Sequence, residues 1–228
     1  MKQIFKPQTE WLPPESFPDL SKYDEIAIDL ETKDPNLLTK GPGNIRKDGH
    51  IVGLAVGADN DGRWYFPMRH EVGGGNLNPD AVLNWAQDEL NRSHQPKVGA
   101  NLMYDLGWLD AEGVTVAGDL VDVLIAEPLL DENQYQYNLD SVSMTHLQEH
   151  KTDEALYRWC AKAYGGDANR KQAGNIYRAP ASLVGPYAMG DIDLPLRVWE
   201  KQKKLLEQQD LMDLFKMESR LIPLLLAM

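Results

Sequence analysis

The chain holds 228 residues, 43% of them apolar and 25% charged, with 35 acidic against 23 basic side chains and a formal net charge of −12. Such a chain can bury a sizeable core, which excludes wholesale disorder and any need for disulfides or structural metal. A single cysteine, Cys160, excludes an intramolecular disulfide and a cysteine zinc cluster, and suits a reducing compartment.

The N-terminus has no apolar stretch long enough for a signal peptide. The longest apolar run, Leu221 to Met228, is far short of a bilayer span and contains Pro223, so no membrane association is expected. The acidic balance runs against a nucleic-acid binder, where a basic surface is expected. It suits a protein that holds cations or forms part of something larger.

Residues 1–22 carry Pro7, Pro13, Pro14 and Pro18, which forbid a regular helix and predict an extended arm. A first strand is expected at Glu25–Leu30. Strands at Ile51–Val56 and Arg63–Phe66 follow, joined as a hairpin by the turn-forming Asp59–Gly62. Gly73–Gly75 marks a loop. Asn78 and Pro79 start a helix running to about Arg92. A short strand at Lys97–Ala100 leads into a helix capped by Asn101 and ending near Gly113. Another short strand at Val114–Ala117 precedes a helix from about Leu120 to Leu129. The remainder reads as helices near 138–148, 152–164, 180–194 and 196–226. The fold class expected is α/β, a mixed sheet flanked by helices with a helical C-terminal extension. The domains expected are an arm at 1–22, one α/β domain at 23–200 and a C-terminal helix at 201–228.

Three segments carry chemistry. In Ile26–Thr32, Asp29 and Glu31 lie two apart at a strand end and leave the same face. Crowded carboxylates repel, and a divalent cation relieves the repulsion. In Val98–Trp108, Asn101 and Asp105 lie four apart on one helical face that follows a strand, the place where open α/β sheets bind ligands. Leu102, Leu106 and Leu109 form the buried stripe of that helix. In Pro186–Asp191, Tyr187 and Asp191 again share a helical face, and Pro195 predicts a kink just past the acid. Each segment alone has a blander account: a solvated strand end, a helix cap, an aromatic at a core edge. Their joint occurrence in this order does not.

With these motifs the sequence resembles the DnaQ-like 3′→5′ exonucleases of the DEDD type, and more narrowly the proofreading exonuclease domain of bacterial and phage family-A DNA polymerases. The resemblance covers nearly the whole chain after the arm, including Ile51–Gly57, Tyr65–Met68 and Asp122–Asp131. It implies a ribonuclease H-like fold. It implies Asp29, Glu31, Asp105 and Asp191 as ligands of two divalent ions, Mg2+ or Mn2+, with Tyr187 orienting the attacking water. Pro186 stands where the histidine subtype has its catalytic histidine, so the tyrosine subtype is the match. The chemistry agrees: two hard cations about 4 Å apart activate water and relieve charge on the leaving oxygen. The activity implied is removal of nucleoside 5′-monophosphates from a single-stranded or frayed DNA 3′ end, in the cytoplasm of a bacterium or phage-infected host. The rivals are an exoribonuclease similar to RNase D and a silent scaffold for a polymerase.

For the substrate strand, Thr32, Asn101 and Tyr104 are candidate contacts, and Asn36–Leu38 borders the first motif. Residues 157–178 place Arg158, Lys162, Arg170, Lys171 and Arg178 among Tyr157, Trp159, Tyr164 and Tyr177. That mixture suits a single-strand groove or, equally, an amphipathic helix with core aromatics followed by a solvated loop. His146 and His150, four apart without a third ligand, read as a surface pair. Asp122 reads as a helix N-terminal charge or a support for the site. Gly73–Gly75 lacks the residues of a phosphate loop, and Cys160 reads as packing. The apolar C-terminal helix, with Leu205, Leu206, Phe215 and Leu221 among others, resembles the segment that leads toward a polymerase thumb. It predicts a polymerase partner, in the same chain or a separate one.

Overall fold

The computed structural model describes residues 10–58, 62–151 and 154–228. Five strands form one sheet in the order β3-β2-β1-β4-β5. They are β1 (Ile26–Lys33), β2 (His50–Ala58), β3 (Gly62–Pro67), β4 (Lys97–Gly99) and β5 (Leu120–Asp122). β1 pairs antiparallel with β2 and parallel with β4; β3 extends the antiparallel edge and β5 the parallel one. The turn expected at Asp59–Gly62 falls mostly on residues 59–61, which, like the first nine residues of the arm, lie outside the described residues.

Strand parity decides what faces what. Ile26, Ile28 and Leu30 enter an apolar layer with Leu54, Val82, Leu90, Leu102 and Leu109. That layer belongs to α2 (Pro79–Leu90) and α3 (Leu102–Ala111). Ala27 faces the opposite layer, with Ala55, Tyr65, Val98, Val184, Ala188 and Ile192. Those last three lie on α7 (Ala181–Gln208), which crosses this sheet face. Asp29 and Glu31 share the parity of Ala27 and therefore point toward α7.

Glycines let α7 lie close to the sheet. A Cβ on Gly57 would come within 3.2 Å of Ile192 and 3.3 Å of Leu196. Gly53, paired with Glu31, leaves room for the Tyr65 ring: a Cβ there would stand 2.1 Å from the Tyr65 hydroxyl. That hydroxyl meets His70 Nε2 at 2.6 Å, and His70 Nδ1 meets the Ala179 carbonyl at 2.9 Å. A carbonyl only accepts, so Nδ1 carries the proton and Nε2 accepts from Tyr65. Burial holds this imidazole down at about 4, hence neutral.

The described part of the arm is extended and tied down. Phe17 stacks on Trp85 with ring centroids 5.4 Å apart, Leu20 N donates to Glu89 at 2.8 Å, and Gln95 donates to the Leu20 and Tyr23 carbonyls.

Several local expectations are corrected. Val114–Ala117 is not a strand: Val114 N and Ala117 N return to the Leu109 and Leu90 carbonyls. The strand is Leu120–Asp122 instead, because that stretch aligns with Lys97–Gly99. The following helix, α4 (Val123–Leu130), therefore starts later than expected, with Asp122 accepting from Leu124 N at 2.9 Å. Asn101 does not cap α3 with its side chain: it adopts φ 66°, and Asp122 accepts from Leu102 N at 2.8 Å in its stead. α7 is one helical element through Pro186 and Pro195 rather than two pieces meeting at residue 195, held by the apolar residues buried along its length. The long C-terminal helix breaks instead near Asp210, φ 59°, giving α8 (Met212–Ser219) and α9 (Leu221–Leu226). α8 packs on α4 and β5, and α9 on α3.

α5 (Leu139–Leu147) ends before His150. His146 turns inward to Glu127 at 2.6 Å, and His150 is exposed, so the two are not a surface pair. α6 (Glu154–Tyr164) buries Tyr157, Trp159 and Cys160. Burial raises the thiol to about 11, in keeping with a packing role. A 3-10 helix, Arg170–Arg178, and a short turn, α1 (Leu37–Lys40), complete the described elements.

Gly53→Ala is expected to lower stability by about 1–3 kcal/mol, the usual cost of forcing atoms into a filled core. Urea unfolding measures it; wild-type stability in the variant would mean that Tyr65 moves aside freely.

Candidate active site

Asp29 and Glu31 leave the middle of β1, just before the register with β2 shifts between Glu31 and Thr32. Asp191 comes down from α7. One carboxylate oxygen from each of the three lies within 4.8 Å of the others. Asp105, buried on α3, stands behind them: its Oδ1 accepts from Leu30 N at 3.0 Å, between the two β1 acids. The sequence placed all four acids together; the structure converges three and gives the fourth a backbone partner.

The electrostatics follow from this crowding. Burial raises the Asp29 carboxyl to about 8, Asp191 adds repulsion, and Lys151 partly offsets it. Glu31 is pushed well above the usual range by burial and then by Asp29 and Asp191. Asp105 is raised by burial and Asp29, against the Leu30 amide. Groups in this condition are stabilised by protons or cations. A set of hard carboxylate oxygens at this spacing fits a divalent ion such as Mg2+ or Mn2+.

Tyr187 lies one helical turn before Asp191. Burial, then the charge of Asp191, holds its phenol well above the usual range. Beside it is a residue that sequence reasoning missed. The Lys151 ammonium lies 2.7 Å from one Asp191 oxygen, 2.8 Å from the other and 3.2 Å from the Tyr187 hydroxyl. Lys151 follows α5 in a polar loop and bears no fixed spacing to any motif, so nothing in the sequence pointed to it.

The acids open into a cleft of about 1870 Å3 that also touches Thr32, Asn101, Tyr104, Arg170 and Lys171. The Tyr104 hydroxyl donates to Asp34 at 3.2 Å and meets Thr32 Oγ1 at 2.7 Å, a link also absent from the sequence reading. Exposed Leu37, Leu38 and Ile45 stand at its mouth. Arg158 and Arg178 do not line this cleft. Arg158 pairs with Glu154 on the outer face of α6, and Arg178 lies over the Tyr177 and Tyr164 rings. Tyr157, Trp159 and Tyr177 are buried, which takes them out of a base-stacking role.

No family model matches the chain. It is 34% identical over 222 residues to a DNA-directed DNA polymerase of Pseudomonas phage M6, covering 95% of this chain and 32% of that protein. The chain thus spans about a third of the length of the curated relatives it matches. Among solved structures it resembles Brucella melitensis NrnC bound to pGG, with a TM-score of 0.62 and 16% identity over 91% of this chain and 86% of that one. It also resembles the catalytic core of RRP6 from Trypanosoma brucei, with a TM-score of 0.60 and 20% identity over 88% and 46% of the two chains. The chain shares its fold with these two structures. A further NrnC structure holds bound Mg2+. Among the described residues, no helix is long and apolar enough to cross a membrane.

The strained carboxylates predict a pH dependence. Folded Asp29 keeps its proton up to about pH 8, whereas an unfolded aspartate loses it near 4. The folded state binds more protons between these values, so stability falls as pH rises through this window. In EDTA, Asp29→Asn should raise Tm more at pH 8 than at pH 5. Equal shifts at both would show that the carboxylate is not strained.

Proposed function

We propose that the chain is a divalent-metal-dependent 3′→5′ exonuclease of the tyrosine subtype. It would remove nucleoside 5′-monophosphates from single-stranded or frayed DNA ends, as the proofreading portion of a family-A-type phage polymerase. The observation that carries this is the convergence of Asp29, Glu31 and Asp191 within 4.8 Å, beside the Tyr187 hydroxyl, in an open cleft. The likeness to a phage DNA polymerase supports DNA as the substrate. It also supports a polymerase partner, reached through the C-terminal helices.

Asp29, Glu31 and Asp191 would hold the metal, with Asp105 fixing the strand segment between the first two. When bound, Mg2+ or Mn2+ supplies activation of the nucleophile and charge relief at the leaving oxygen. The chain's own groups do the rest. Tyr187 stays protonated and orients the attacking water by hydrogen bonding rather than acting as a strong base. Arg170 and Lys171, exposed on one cleft wall, meet the phosphates upstream of the scissile bond. The exposed Leu37 and Leu38 offer apolar contact to the terminal base.

The test is digestion of matched 5′-labelled single-stranded DNA and RNA in Mg2+, in Mn2+ and in EDTA. The expected result is a metal-dependent ladder shortening DNA from its 3′ end, abolished in Asp29→Ala/Glu31→Ala. Tyr187→Phe should slow it about 10²-fold, the size of a positioned hydrogen-bonding group's contribution. Preferential digestion of RNA would overturn the DNA assignment, and no digestion of either would overturn the activity.

A further inference from the structure

The acidic cluster already contains a cation of the chain's own. The Lys151 ammonium spans both oxygens of Asp191, at 2.7 and 2.8 Å, and lies 4.9 Å from the centre of the Tyr187 ring. Asp191 is also one of the three acids whose oxygens converge. We propose that Lys151 is an internal counter-cation that competes with the divalent metal for Asp191, so that metal entry requires its ammonium to leave that carboxylate. The proposal rests on the reading that these acids hold a metal.

The argument is one of space and charge. A small divalent ion binds carboxylate oxygen at about 2.1 Å and demands a near-ideal shell of oxygens. An ammonium bridging both Asp191 oxygens would stand within a few ångströms of such an ion, with like charge and little water between them. The two cannot share Asp191 in this geometry.

The backbone settles which partner yields. Asp29 and Glu31 are on the central strand, and Asp191 is on a long helix crossing the sheet. Lys151 follows the end of α5, past Gln148 at φ 59°, and its backbone amide donates to Asp140 at 2.9 Å. Its long side chain can swing by rotamer change while the acids stay fixed. The pairing has a use before the metal arrives. It neutralises part of a buried negative cluster that would otherwise oppose packing of α7 on the sheet. The same lysine then sets a threshold, weakening metal binding by the interaction that must be broken.

The experiment is a calorimetric Mn2+ titration of the chain and its Lys151→Met and Lys151→Arg variants, each first shown by thermal melting to be folded. Lys151→Met should bind Mn2+ on the order of tenfold more tightly, the lower end of what a charge in contact does to a neighbouring ion equilibrium. Lys151→Arg, which keeps the charge, should stay near wild type. In EDTA, Lys151→Met should melt below wild type, with the gap closing when Mn2+ is added. Mn2+ binding by Lys151→Met no tighter than by wild type overturns this proposal alone. If neither binds Mn2+, the metal-site reading falls and this proposal falls with it.

Discussion

Three carboxylates held within 4.8 Å, with a fourth behind them, are the constraint on which the rest of this structure depends. Like charges in a partly dehydrated pocket repel far more strongly than in water. A fold that gathers them must therefore be held together elsewhere. Here the gathering uses the most rigid parts of the molecule: the central strand for Asp29 and Glu31, a packed helix for Asp105 and a 28-residue helix for Asp191. None of these acids is on a loop free to relax the strain.

The packing around that cluster is arranged to bring α7 close. Small residues, Ala27, Ala55, Gly53 and Gly57, line the sheet face under the helix. Tyr65 fills the space above Gly53 and donates a hydrogen bond from its hydroxyl to His70. His70 in turn holds Ala179 at the entrance to α7. The helix start is thus tied to the hairpin, and its next turns place Tyr187 and Asp191 over the β1 acids. On the other face, larger side chains, Ile26, Ile28 and Leu30, fill the layer under α2 and α3. The strand reads small and acidic on one side and large and apolar on the other, and the site lies on the small side.

The negative net charge has a local meaning. The cleft is not basic overall: Arg170 and Lys171 supply cations on one wall, and the acids occupy its end. The C-terminal helices fold back against α3, α4 and β5, yet α9 leaves Leu224 and Leu225 exposed beside the same cleft.

Much of this was legible in the sequence. Alternation along Ile26–Glu31 fixed which face the acids take, and helical spacing put Tyr187 with Asp191, because local periodicity is a property of the chain alone. Tertiary structure decided the rest. Leu120–Asp122 became a strand because Lys97–Gly99 offered it a partner. Asp122 displaced Asn101 as the cap of α3, since the two elements meet only in the folded sheet. α7 continued past Pro195, held by the apolar residues buried along its length. Arg158, in the basic stretch, was turned away from the cleft by the face on which its helix buries its aromatics. Lys151 reached the acids through a loop whose course no periodicity encodes. Contacts between residues 40 apart in sequence depend on the path between them, and that path is settled by the packing of the whole domain.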